Sequence, residues 1–170
     1  MVDCGGSVQD TKRRLTSFGI WPDFLLLTHG HIDHISSLSL FENSDTQIVI
    51  HSADQHYLCD PSFNLSTAIL GQAVTFDLLC ANEEIDLSQY GIEIIHTPGH
   101  SPGSVCYRVE DVLFSGDTLF CQGIGNTSFP GGDALTEMNS VRQLLEINDN
   151  LTVHPGHGPS TTIFKERKSF

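Results

Sequence analysis

The chain has 170 residues, 39% hydrophobic and 17% charged, a balance that excludes a disordered segment and suits one globular domain with a real core. Eight Lys and Arg stand against 21 Asp and Glu, a net charge of −13, which opposes binding to nucleic-acid backbones and to anionic lipid. No apolar run approaches the about 18 residues of a membrane span. The opening MVDCGGSVQD lacks the basic and apolar regions of a signal peptide, so the expectation is a soluble, cytoplasmic protein with a small-molecule substrate, no nucleic acid and no membrane partner.

Residues 9–18 read as a helix with Ser7 as its cap. Residues 23–28 form an apolar strand, and the histidine-rich stretch 29–34 follows it. A short helix is expected over 35–41, a strand over the β-branched 47–51 and a helical turn over 52–58. Residues 60–72 read as loop. A strand over 92–97 ends at the turn PGHSPGS, and 104–109 with 112–115 make a hairpin across Glu110 and Asp111. The Gly-rich loop CQGIGNTSFPGG (121–132) precedes a helix capped by Asp133, with Leu135, Met138, Val141, Leu144 and Leu145 on its apolar side. A strand over 152–154 precedes PGHGPST, and TTIFKERK closes the chain as a last helix. Strands interleaved with helices predict layered α/β packing.

Each polar cluster follows a strand: His29, His31, Asp33 and His34 after the first, His100 and Asp117 after later ones, His157 after the last. Strand ends are rigid platforms whose loops can converge on one sheet edge. Imidazoles and carboxylates gathered there make a metal site of N and O donors, which suits zinc and also admits manganese or iron. In the HxHxDH spacing, His29 and His31 can share one metal, Asp33 and His34 can face a second, and Asp117 can bridge both. A bound metal also lets so acidic a chain accept an anionic substrate. A single histidine is more often a surface or core residue, and that reading holds for His51, His56, His96 and His154. The five cysteines (Cys4, Cys59, Cys80, Cys106, Cys121) are scattered and form no CxxC pair, so reduced thiols are expected, Cys121 among them as a loop thiol.

THGHIDH (28–34), TPGHSPGS (97–104), FSGDTLF (114–120) and HPGHGPST (154–161) resemble, in order and over nearly the whole chain, the metallo-β-lactamase superfamily, and within it the glyoxalase II-like hydroxyacylglutathione hydrolases. The resemblance implies an αββα four-layer sandwich over residues 1–170 with two metal ions at one edge. It implies that His29, His31 and His100 hold the first metal, that Asp33, His34 and His157 hold the second, and that Asp117 bridges. It also implies that Asp3 supports the site from behind. Family members usually begin with strands upstream of the DCGG segment, so this chain reads as N-terminally short, with residues 1–8 at an exposed sheet edge through which a homo-oligomer is expected. Close relatives carry Gly-Arg-Thr-Asp where Gly125-Asn126-Thr127-Ser128 stands here, which separates substrate selectivity from the ligand set.

Two cations sharing one water yield a hydroxide near neutral pH. The expected reaction is therefore thioester hydrolysis through a metal-bridging hydroxide, with Asp33 orienting or shuttling the proton. Persulfide oxidation at a single iron and lactone hydrolysis use the same scaffold and remain competing readings, as does a non-catalytic metal-binding scaffold.

Overall fold

The computed structural model describes residues 1–77, 85–147 and 151–170, which fall into two compact units, Met1–Ile85 and Asp86–Phe170. Cys80 lies outside the described residues. In the first unit the Ser7 hydroxyl accepts the Asp10 N–H and caps α1 (Val8–Phe18), which ends at Gly19. The apolar run becomes β1 (Phe24–Leu26), paired in parallel with β2 (Gln47–Val49). Leu25, Leu26 and Leu27 are all buried, as expected of a parallel strand covered on both faces. Val2 adds a parallel bridge to Leu26. Leu25, Leu27, Ile35, Leu38, Phe41, Ile50 and Leu58 belong to the core of this unit.

The single helix expected over 35–41 is two pieces, α2 (Ile32–Ile35) and a 3-10 turn, Leu38–Phe41. The N-terminal segment takes over the backbone between them: the Cys4 N–H donates to the His34 carbonyl and the Ser37 N–H donates to the Cys4 carbonyl. The helical ladder cannot run through residues bonded elsewhere. Helical turns follow at Ser52–Cys59, as expected, and at α3 (Ser66–Leu70), inside a stretch expected as loop. Asn64 and Ser66 organise α3 locally, the Asn64 side chain accepting the Ser66 N–H and the Ser66 hydroxyl accepting the Val74 N–H.

The second unit is built on a five-stranded sheet. β3 (Ile92–His96), β4 (Val105–Val109) and β5 (Val112–Gly116) form an antiparallel meander. The last two make the expected hairpin, with Glu110 at φ 54° in its turn. β6 (Leu119–Phe120) and β7 (Gly123–Ile124) are a small separate pair; β7 lies within a stretch expected as loop. α4 (Ala134–Leu145) carries the chain to β8 (Thr152–Pro155), which pairs in parallel with β5. β9 (Thr161–Thr162) pairs with β8 and leads into α5 (Ile163–Glu166).

The Asp133 carboxylate accepts the Thr136 N–H and caps α4, and Val141, Leu144 and Leu145 are buried as expected. Leu135 is not on that face: it is 70% exposed, and Glu137 and Ser140 are the buried residues of the helix's first turns. Each unit thus combines a sheet with helices of its own, the mixed α/β class expected of an αββα sandwich.

Candidate metal centre

In the first unit the histidine stretch leaves the end of β1, and α2 begins within it, so Asp33 and His34 sit on a helical turn. His29, His31 and His34 are buried, each at most 4% exposed. The His29 and His31 rings meet edge to face at 4.7 Å, and the His29 and His34 rings lie 4.1 Å apart. Asp33 Oδ2 lies 3.8 Å from His34 Nε2. Asp3, at φ 51°, organises the group. Its Oδ2 accepts from His34 Nδ1 (2.8 Å) and from the Thr28 hydroxyl (2.8 Å), and its Oδ1 accepts the Thr28 N–H (2.7 Å). The same Thr28 hydroxyl accepts from His29 Nδ1 at 3.1 Å.

In the second unit the Asp117 carboxylate stands between two imidazoles. Its Oδ2 is 3.6 Å from His100 Nε2 and 3.7 Å from His157 Nε2. His100 is buried, whereas the His157 side chain is 55% exposed. His100 Nδ1 donates to the Asn126 carbonyl (2.9 Å) and its backbone N–H donates to Glu137 Oε2 (2.8 Å).

Three buried imidazoles, those of His29, His34 and His100, therefore spend Nδ1–H on an oxygen acceptor. That fixes the tautomer in which Nε2 keeps its lone pair, the arrangement that readies histidine for a metal. The donor set is nitrogen and carboxylate oxygen, and the residues fit a divalent cation. All seven expected ligands, His29, His31, Asp33, His34, His100, Asp117 and His157, number among the side chains able to hold a metal ion.

The histidines read as structural have structural partners. His51 accepts the Ala53 N–H, His96 Nε2 meets the Pro102 carbonyl, and His154 contacts the Ser160 hydroxyl and stacks on Phe114. His56 packs on Tyr57 and Phe63.

Two supporting carboxylates escaped the sequence reading. Asp54 is fully buried, and its Oδ2 accepts the Gly30 N–H between His29 and His31 at 3.1 Å. Glu137 is fully buried as well. Burial pushes its pKa up to about 8; the His100 N–H opposes the shift and the Asp117 charge adds to it. Asp54 carried no sequence signal. Glu137 carried a weak one, since Asp133, Glu137 and Ser140 make a polar stripe on the helix.

A family description, the metallo-β-lactamase superfamily, matches residues 1–157. The chain is 36% identical to the probable metallo-hydrolase YqgX of Bacillus subtilis, covering 98% of this chain and 83% of that one. It is 32% identical to hydroxyacylglutathione hydrolase GloC of Haemophilus influenzae, covering 99% and 84%. The crystal structure of TTHA1623 in a di-iron-bound form superposes with a TM-score of 0.86 at 30% identity, covering 99% of this chain and 86% of that one. Ordered motifs, tied-off imidazoles and these similarities agree: the chain belongs to the metallo-β-lactamase superfamily.

Proposed function

We propose that this metallo-hydrolase is binuclear and cleaves thioesters, with acylated glutathione-like thiols as its substrate class. The observation that carries the reading is the set of buried imidazoles whose Nδ1 atoms are tied to oxygen acceptors. Similarity to GloC over 84% of that enzyme supports the thioester class. In this proposal His29, His31 and His100 would hold one cation, Asp33, His34 and His157 would hold the other, and Asp117 would be shared. Zinc is the proposed metal, since the donors are nitrogen and oxygen. Iron is the alternative, because TTHA1623 was crystallised with two irons. Residues 1–170 act as one catalytic domain, in the cytoplasm.

When bound, the cations supply a polarised carbonyl and a water acidic enough to be hydroxide near neutral pH. The protein's own residues do the rest. Asp3 and Thr28 hold His34 and His29 in one tautomer. The Asn126 carbonyl does the same for His100. Asp33, its side chain 33% exposed, orients the attacking water and passes its proton toward solvent.

The test is elemental analysis of protein purified without added metal, paired with a panel of thioester and persulfide substrates. About two metals per chain and thioester turnover are expected. A folded protein that takes up no metal in metal-replete buffer overturns the reading, and persulfide oxidation without thioester turnover replaces it with iron-dependent chemistry.

A further inference from the structure

The turn Pro98-Gly99-His100 is fastened to one stripe of α4 by three bonds. The Asp133 N–H donates to the Gly99 carbonyl (2.8 Å), the His100 N–H donates to Glu137 Oε2 (2.8 Å), and the Ser140 hydroxyl donates to the Pro98 carbonyl (2.7 Å). Residues 133, 137 and 140 share one helix face by spacing, so consecutive turns of α4 grip consecutive residues of the loop. The approach is very close. Gly99 has φ +143°, and a Cβ there would sit 2.3 Å from the Glu137 nitrogen and 2.2 Å from its Cα. Only glycine admits both that conformation and that contact.

Glu137 is the centre of the grip. The Gly125 N–H points to the same carboxyl group, and residue 126 supplies the carbonyl that receives His100 Nδ1. One buried carboxyl thus bonds the loop that carries His100 and lies beside the loop that fixes its ring. A hydrophobic residue at this position would extend the apolar face of Val141 and Leu144 and would accept no N–H. The polar choice costs burial, and what it gains is the placement of His100.

We infer that Glu137 is a positioning residue: by accepting the His100 N–H, and with Asp133 and Ser140 gripping the same turn, it sets where the His100 imidazole stands, and so the affinity of the metal that His100 binds. The inference rests on the metallo-hydrolase reading above.

The experiment titrates the 170-residue protein and three variants with zinc against a chromophoric chelator, and follows His100 amide exchange and melting temperature in each. Glu137→Leu removes the acceptor, Glu137→Gln keeps one, and Val141→Ala hollows the fully buried apolar position one turn further along the same helix. Glu137→Leu should speed exchange at the His100 amide and weaken one zinc site by about 10- to 100-fold, the usual loss when a ligand's supporting contact is removed. Glu137→Gln should restore most of that affinity. Val141→Ala should lower the melting temperature with little change in zinc affinity of the folded protein. If Glu137→Leu loses no more affinity than Val141→Ala, or if Glu137→Gln rescues none of it, the inference is wrong while the metal site stands. If the wild type itself binds no zinc or iron, the metallo-hydrolase reading falls and the role of Glu137 falls with it.

Discussion

Gly30 separates His29 from His31 and leaves no room for a side chain. A Cβ there would lie 2.4 Å from Tyr57 Cβ and 3.3 Å from the Asp54 carbonyl oxygen, and Tyr57 is itself fully buried. Gly30→Ala must therefore push the histidine stretch away from the turn that supports it. The expected cost is about 1–3 kcal/mol, as for other overpacked cores, read in denaturant unfolding, with a drop in metal content larger than that of a surface Ala substitution.

Asn126 bears on substrate choice. Its carbonyl receives His100, while its side chain turns back to accept the Ser128 N–H and hydroxyl, so it offers no cation to a carboxylate-bearing substrate. The loop 121–132 contains no Lys or Arg. Glutathione thioesters should show a high KM with a nearly intact kcat relative to a neutral thioester of the same acyl group, the pattern of lost uniform binding. Asn126→Arg should lower that KM. A strong native preference for the glutathione ester that Asn126→Arg leaves unchanged would place recognition elsewhere.

Among the elements, α4 shows how far sequence patterning reaches. Its start is chemically encoded: the Thr136 side chain and the Thr136 N–H, which the Asp133 carboxylate accepts, hold the Asp133 carboxyl below its ordinary pKa. A depressed folded-state pKa contributes stability above the unfolded value and loses it as pH falls through the folded one. Asp133→Ala should therefore melt lower than wild type at neutral pH, and the gap should close in acid. A gap constant from pH 7 to pH 3 would show that the charge plays no part in the cap.

The apolar periodicity found Val141, Leu144 and Leu145 but also chose Leu135, because periodicity cannot report that the inward space of the first turns is filled by polar groups serving the 98–100 turn. The seven candidate ligands were legible because each follows a strand that hydrophobicity reveals. Asp54 and Glu137 were not, because their partners are backbone N–H groups of Gly30 and His100, which leave no trace in residue type. α3 was equally hidden: five residues preceded by Leu65 at φ 65°, with no side-chain cap, have no period to read. The break between α2 and the 3-10 turn depends on hydrogen bonds from Cys4, some thirty residues away in the chain.

For the molecule as a whole, surface charge and exposed backbone pull in opposite directions. Met1 and Asp3 hydrogen-bond to β1, Cys4 bonds His34 and Ser37, and the Gly6 carbonyl accepts the Ser36 and Ser37 hydroxyls, so the backbone that another chain could pair here is confined to a few groups of the exposed Gly5 to Ser7. A net charge of −13 keeps copies apart at low ionic strength. Self-association should therefore appear as salt is raised, when the repulsion is screened. Sedimentation velocity at low and high salt checks this, and a monomer at high concentration in both would count against pairing through this segment. Among the described residues no helix is long and apolar enough to cross a membrane.

The parallel pairing of β5 with β8 sets an order of events. Gly116 stands opposite Pro155 in that ladder, so the pairing itself delivers Asp117 and His157 to one another. The hairpin of β4 and β5 closes over two residues, whereas β5 and β8 are joined only after the chain has passed through β6, β7 and α4. Loop closure over such a separation is slow and entropically costly compared with a hairpin. During synthesis Asp117 leaves the ribosome about forty residues ahead of His157, and for that interval only His100 of its two imidazole neighbours has been made. On the ligation proposed above, a cation that needs both Asp117 and His157 would find them together only once this ladder has zipped, so a chain stopped before β8 should lack that part of the metal uptake.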